Sequence, residues 1–429
     1  MQLNWVYLKD LKDHLDQEVL VKGWVYNFRS SGKIAFLQLR DGSDFVQCIV
    51  VQDAVSPEVW GIAEGMSLES SVEIKGKVSK HPKKDEYEIQ VTDLKFIQKS
   101  EEYPIGKKEH GDDFLLTNRH LWLRSPKQWA IQRVRNTVIN ATYEFLNGEG
   151  FTKIDSPILT PNACEGTTEL FEMEYFDLGK AYLTQSGQLY IEAAIMSLGK
   201  VFDFGPVFRA EKSKTRRHLT EFWMMDAEMA FFDHELNLKV QENLISFVAR
   251  RVLELNMKDL EILERDPKVL EKIKAPFDRL TYDDAIKKLQ ELGSDIKYGE
   301  DLGNDDETLI MQGAEKPLFI ERWPADIKAF YMKRDGDKAL CADLIAPEGH
   351  GEIIGGSQRE DDYEEMVNRI KEHNLPMDAF QWYLDLRKYG SVPHSGFGFG
   401  LERLTGWMCG VKHVRETIPF PRMINRIYP

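Results

Sequence analysis

The chain has 429 residues, a formal net charge of −15, 42% apolar residues and 30% charged ones. That length suggests two or three domains, and the acidic balance excludes a protein that coats nucleic acid wholesale, so a nucleic-acid partner has to meet local basic patches. No run of about 18 apolar residues is present, which excludes a transmembrane helix; the acidic N-terminus does not read as a signal peptide, and the scattered Cys48, Cys164, Cys341 and Cys409 form no CxxC pair, which fits a reducing cytoplasm.

Residues 19–98 are β-rich. The runs VLVKGWVYNFR, KIAFLQLRDG, FVQCIVVQ, SSVEIKGKVSK and YEIQVTDLKFIQ alternate in part and are set apart by Gly, Ser, Asp or charged clusters. Such short strands at this spacing predict a small barrel of the OB type. Phe28, Arg29, Phe36, Arg40 and Gln47 mix aromatic, basic and polar groups, as OB faces do to stack bases and hold a single strand. Residues 1–100 hold 13 Lys+Arg against 15 Asp+Glu, so this part is less acidic than the remainder. The polar stretch 101–120, with Pro and Gly, reads as a linker or hinge.

A second domain, 121–429, follows. Its first helix is predicted from Pro126 to about Asn147, with helical spacing of Ile131, Val134, Val138 and Ala141 and a stop at Gly148 and Gly150. FTKIDSPILTP reads as a strand broken at Pro157, and CEGTTELFEMEYFD as a loop leading into a strand. A helix over Leu189–Leu198 stops at Gly199. His234–Glu264 and Asp283–Leu292 are helical with one charged face. PLFIERW, AFYMKR and CADLIAP read as strands, EGHGEIIGGSQRE as a Gly-rich strand and turn, 361–390 as helical, and GSVPHSGFGFGLERLTGWMCG as a Gly-rich turn entering a helix at about Leu401.

The most telling stretch is Gly205–Glu228. An apolar run, Val201–Phe208, leads to Arg209 and Glu211, two apart and so on one face of an extended chain. Lys212, Lys214, Arg216, Arg217 and His218 form a basic loop, and the pattern turns apolar again through Phe222–Met225. This predicts two antiparallel strands joined by a cationic loop suited to a polyphosphate. It is not a P-loop, since no GxxxxGK[ST] occurs. The run Gly396–Gly400 lacks the third glycine of a dinucleotide loop, with Leu401 in its place, and no parallel βαβ pattern surrounds it. No Ser/His/Asp or Cys/His nucleophile arrangement is visible.

Three motifs together, FTKIDSPILTP after a long helix, FRAE with RHLTEF, and GFGFGLERL, resemble motifs 1, 2 and 3 of the class II aminoacyl-tRNA synthetases. An N-terminal OB domain marks the subclass of aspartate, asparagine and lysine enzymes, and LTQSGQLYIEA, GEIIGGSQRE and VPHSGFGFGLERL resemble the asparaginyl family within it. The resemblance spans nearly the whole chain. It implies an α+β protein: a five-stranded OB barrel binding the anticodon, and a catalytic domain with a mixed, mainly antiparallel sheet flanked by helices. It implies ATP and Mg²⁺, L-asparagine and tRNA(Asn), a homodimer built around motif 1, and no membrane partner. An aspartyl-tRNA synthetase, or an asparagine synthetase on the same catalytic fold, stands as the alternative.

The resemblance also implies roles. Arg209 contacts the α-phosphate and the amino-acid carboxylate, a bidentate task that suits a guanidinium. Glu211 accepts from the adenine end, Arg217 and His218 hold the outer phosphates, and Phe222 and Arg403 sandwich the base. Gly398 and Gly400 keep the floor clear. Glu352 and Asp343 bind Mg²⁺. Glu165 meets the substrate ammonium with Gln188 nearby, and Arg359 faces the side-chain carbonyl oxygen. In the aspartyl family a lysine pairs the substrate side-chain carboxylate; here that position is Ile191, followed by Glu192, a change that favours a neutral amide donating to it directly or through water. In the barrel, Phe36 is the base stacker, Gln47 a hydrogen-bonding partner for the central anticodon uridine, and Arg29 a backbone or base contact.

Overall fold

The structure, a computed structural model, describes residues 4–106, 108–161 and 170–429. It divides between Gly111 and Asp112 into two units. The first is built on strands β1 (Glu18–Ser31), β2 (Ile34–Arg40), β3 (Phe45–Val51), β4 (Ser71–Lys80) and β5 (Tyr87–Gln98). They close into a barrel in the order β1-β2-β3-β5-β4, antiparallel except for the β3–β5 seam. Closure leaves no sheet edge. The alternation seen in sequence aims Val19, Val21, Val25, Leu37, Leu39, Cys48, Val50, Ile74 and Ile89 into one core. Arg40, grouped by sequence with the nucleic-acid face, is buried instead and forks Glu69 with bonds of 2.6 and 2.7 Å. It locks the barrel and is not offered to a ligand.

The second unit is organised by an eight-stranded sheet. Its members, with the short strands between them in the chain, are β6 (Thr152–Lys153), β7 (Leu159–Thr160), β8 (Glu172–Glu174), β9 (Lys180–Leu183), β10 (Lys200–Phe208), β11 (Glu221–Ala230), β12 (Asp278–Thr281), β13 (Leu318–Glu321), β14 (Arg334–Asp335), β15 (Lys338–Ala339), β16 (Cys341–Ala346), β17 (Gly351–Gln358) and β18 (His394–Gly400). The main sheet runs β12-β13-β16-β17-β18-β11-β10-β6; β7, β9 and β8 form a separate three-stranded sheet and β14 pairs β15. From β13 to β10 every pairing is antiparallel.

One face of this sheet packs on helices. The helix Pro126–Gly148 starts as predicted, with Ser125 capping the Gln128 N–H and proline at the first position. It buries Ile131, Val134 and Val138 against the helix His234–Leu255, and both cover Met225, Ala227, Met229, Phe397 and Phe399 of the sheet. The intervening residues of β11 and β18 therefore face the other way, and that face carries the site.

Three local readings change. His234–Glu264 is two helices, His234–Leu255 and Met257–Ile262, parted at Asn256. The helical stretch 361–390 is Tyr363–Glu372 and Met377–Lys388, broken where Asn374 turns to φ 55° ahead of Pro376. Ala329–Lys333 is not a strand: Phe330 and Tyr331 are buried in a turn, Met332 makes only a bridge, to Arg359, and strand structure starts at Arg334 with β14. Its apolar residues serve a packing role that a short run cannot distinguish from a strand. Within the stretch read as linker, Asp112–Thr117 and Arg119–Trp122 are helical.

Candidate active site

The floor of the site is a register effect. Met224, Asp226 and Glu228 of β11 stand opposite Gly400, Gly398 and Gly396 of β18. A side chain at Gly398 would overlap the Asp226 carboxylate, and one at Gly396 would overlap that of Glu228. The alternate glycines thus make room for two buried acids. Asp226 accepts from Ser186 Oγ (2.9 Å) and the Gly187 N–H (3.0 Å). Burial pushes its carboxyl up to about 6 against those two bonds. Glu228 accepts from Arg359 Nη2 at 2.9 Å and from its Nε at 3.1 and 3.2 Å, while Arg359 Nη1 donates to Ser357 Oγ at 2.7 Å.

Above this floor lies a cavity of about 620 Å³. Arg209, Arg217, His218 and Phe222 of the hairpin reach it together with Gly400 and Arg403, so motifs far apart in sequence converge as expected. The Arg209 guanidinium stands 5.4 Å from the Phe222 ring centre. His218 is pulled down to about 4, mainly by burial and further by Arg403, Arg209 and Arg217. It is therefore a neutral donor at pH 7, and the fixed charge comes from the arginines. Arg403, just inside the helix Leu401–Cys409, donates from Nη1 to the Glu352 carbonyl at 2.9 Å and lies 3.6 Å from its carboxylate.

Asp343 and Glu352 sit on the paired strands β16 and β17. Asp343 is opposite Gly355, and a Cβ at Gly355 would lie 3.0 Å from Glu352 Oε1 and 3.7 Å from Asp343 Oδ1. The two carboxylates converge over that glycine, which is a donor set fit for a hard cation. Burial raises Asp343 to about 6, opposed by Lys328, which donates to it at 2.8 Å, and assisted by Glu352. Lys328 was not picked out in sequence, and only the fold brings it to Asp343.

The other expected residues divide between the cavity and its surroundings. Gln188 and Arg359 line the cavity. Glu192 does not: it is fully buried behind Gln188, which donates to it at 3.2 Å, and it takes further bonds from Tyr383 (2.7 Å), Arg387 (2.7 Å) and His394 (3.1 Å). Burial pushes its carboxyl up, but Arg387, His394 and Arg359 outweigh that and hold it well below the usual range. Its hydrogen-bonding capacity is spent on the protein, so a direct bond to a substrate amide does not fit. Ile191 points into a core with Ile195 and Val201. Glu211 is half-buried on the hairpin loop, outside the described lining. Glu165 lies outside the described residues. Asp226 and Glu228 were missed by sequence reading. Their signal was present in MMDAEMA set against GFGFG, but it appears only once the strands are paired in register.

In the barrel, Arg29 is opposite Phe36 across β1–β2, with its guanidinium 4.6 Å from the ring centre. Gln47 pairs with Gln38 on the neighbouring strand and donates to Glu88 at 2.7 Å. Phe28 packs against the barrel core.

An antiparallel sheet with a glycine floor, a cationic hairpin, a carboxylate pair and a motif 3 arginine, in a chain that also carries an OB barrel, defines a class II synthetase. Residues 111–424 match the family of class II tRNA synthetases for D, K and N, and residues 19–97 match the OB-fold nucleic acid binding domain. The chain is 54% identical over 426 residues to an asparagine–tRNA ligase of Desulforamulus reducens, covering 98% of this chain and 99% of that one. Its structure resembles asparaginyl-tRNA synthetase from Pyrococcus horikoshii complexed with asparaginyl-adenylate, with a TM-score of 0.95 and 43% identity over 100% of both chains. It also resembles the Entamoeba histolytica asparaginyl-tRNA synthetase in complex with the same adenylate, with a TM-score of 0.88 and 33% identity over 96% of this chain and 97% of the other. The chain belongs to the class II tRNA synthetases of the D, K and N group, and within it to the asparagine–tRNA ligases.

Proposed function

We propose that the chain ligates L-asparagine to tRNA(Asn) in two steps at this cavity. In the first, an oxygen of the asparagine carboxylate attacks the α-phosphorus of ATP. The new P–O bond forms as the bond to the β-phosphate oxygen breaks, giving asparaginyl-adenylate and pyrophosphate. Negative charge builds on the α-phosphate oxygens, and Arg209 is the cation assigned to it. Phe222 and Arg403 hold the adenine between them, with Glu211 at its edge, and Arg217 and His218 belong to the triphosphate tail. Asp343 and Glu352 would hold Mg²⁺, which neutralises polyphosphate charge when bound. In the second step a hydroxyl of the tRNA terminal ribose attacks the activated carbonyl carbon and AMP leaves.

One observation carries the choice of asparagine. Arg359, the pocket cation, is already forked by Glu228 at 2.9 Å. Its charge is compensated, so a second substrate carboxylate would find no unbalanced partner there, whereas an amide oxygen accepts from it without adding charge. Glu192 supports this from behind the wall by fixing Gln188. Glu165 is assigned to the substrate ammonium. Arg29, Phe36 and Gln47 are assigned to the anticodon.

We further assign the enzyme as a homodimer in the cytoplasm. Ile158 and Leu159, beside the motif 1 proline, expose 43% and 40% of their surface, which suits a partner copy. Cys48, Cys341 and Cys409 are free thiols, in keeping with a reducing compartment. Amino-acid-dependent ATP–pyrophosphate exchange, followed by transfer of labelled asparagine to tRNA(Asn), tests the reaction. Exchange with no asparagine dependence would remove this reading.

A further inference from the structure

Arg217 has more protein partners than a phosphate clamp needs. Its Nη1 donates to Asn304 Oδ1 at 2.7 Å and to the Glu307 carboxylate. Its Nη2 donates to the Gly349 carbonyl at 2.6 Å and to Thr308 Oγ1 at 3.3 Å. A guanidinium has four N–H bonds on its two η nitrogens, and these contacts use all of them. The acceptors come from two places distant from the hairpin: the short helix Asn304–Ile310 and the turn between β16 and β17.

The surroundings are shaped to this contact. Gly351 follows that turn at φ 73°, and a side chain there would overlap both the Glu307 carboxylate and the Arg217 guanidinium. A residue with a Cβ is disfavoured there by backbone and by space alike. Both Arg217 and Glu307 line the cavity. An incoming triphosphate would therefore meet an arginine whose η hydrogens are spent and a carboxylate of its own sign next to it.

We propose that Glu307 is a latch on Arg217, and that the ATP tail must exchange the Glu307 carboxylate for a phosphate oxygen before Arg217 can serve as a phosphate ligand. This deepens the assignment of the cavity to ATP and rests on it. The exchange is an ion-pair swap with no covalent step. It makes Glu307 a residue that weakens ATP binding, acting only through Arg217 and through its own charge. A residue that merely supports the fold would have the opposite effect, since removing it weakens binding.

The test is ATP affinity in Glu307→Gln, which keeps size and hydrogen bonding but removes the charge. With Mg²⁺ and asparagine present, the KM for ATP in pyrophosphate exchange should fall by roughly twofold to fivefold, the upper range of a solvent-accessible ion pair, with kcat changed much less. In an Arg217→Ala background the same substitution should bring less than half of that gain on a logarithmic scale. An unchanged or raised KM in Glu307→Gln overturns the latch, as does a full gain in the Arg217→Ala background. If the unmodified enzyme shows no ATP-dependent exchange, the assignment of the cavity fails first and the latch goes with it. Normal exchange with an insensitive Glu307 removes the latch alone.

Discussion

Arg209 is the residue on which the chemistry turns. It is the hairpin arginine that lines the cavity beside Phe222, with its guanidinium 5.4 Å from the ring centre. Arg209→Ala should cost about 3 kcal/mol or more of transition-state stabilisation in adenylation, seen as a loss of kcat in pyrophosphate exchange with the fold intact by circular dichroism. A second prediction concerns His350, in the turn next to Arg217. Burial, with Arg265 and Arg217 adding to it, pulls its pKa from 6.5 to about 4. Between those values the unfolded chain binds more protons at this site than the folded one, so its contribution is complete above pH 6.5 and is lost as pH falls toward 4. Asp226 and Asp343, raised to about 6, slope the other way. The clean observable is therefore a difference: the Tm of His350→Asn relative to the unmodified protein should rise as pH is lowered from 6.5 to 4.5. A flat or falling difference would contradict the assigned shift.

The decisive element is the β11–β18 pair. Gly396 and Gly398 of β18 are glycine where Glu228 and Asp226 of β11 need the space above them. Gly398→Ala should push on Asp226 and shift the floor, costing about 1–3 kcal/mol as overpacking in a rigid site does. Denaturant unfolding would read the loss, and exchange activity should fall with it. This pair also shows what was legible in sequence. The strands, the hairpin and the glycine run could all be read from local pattern, because alternation and turn residues are local properties. The pairing partner of each glycine could not, since register between β11 and β18 is set by contacts more than 160 residues apart. The same reason hid Glu228 and the partners of Glu192: on a helix next to the pocket motif its sequence position suggests a ligand, while Tyr383, Arg387 and His394, all from distant segments, bond to it.

At the scale of the molecule, the two units divide labour in a way their composition already hinted. The less acidic OB barrel presents Arg29 and Phe36 together, and the acidic second unit brings Arg209, Arg217, Arg359 and Arg403 to one cavity. Domain order and the meeting of the hairpin with the GFGFGLERL segment at one cavity were readable because each has a strict local form. The pocket's charge balance was not, because it is a sum over Arg359, Glu228, Glu192, Arg387 and His394, which only the fold brings together. That balance is the central claim, and ATP–pyrophosphate exchange with each amino acid in turn tests it most directly. Asparagine should support rapid exchange and aspartate little or none; strong exchange with aspartate and none with asparagine would contradict the account.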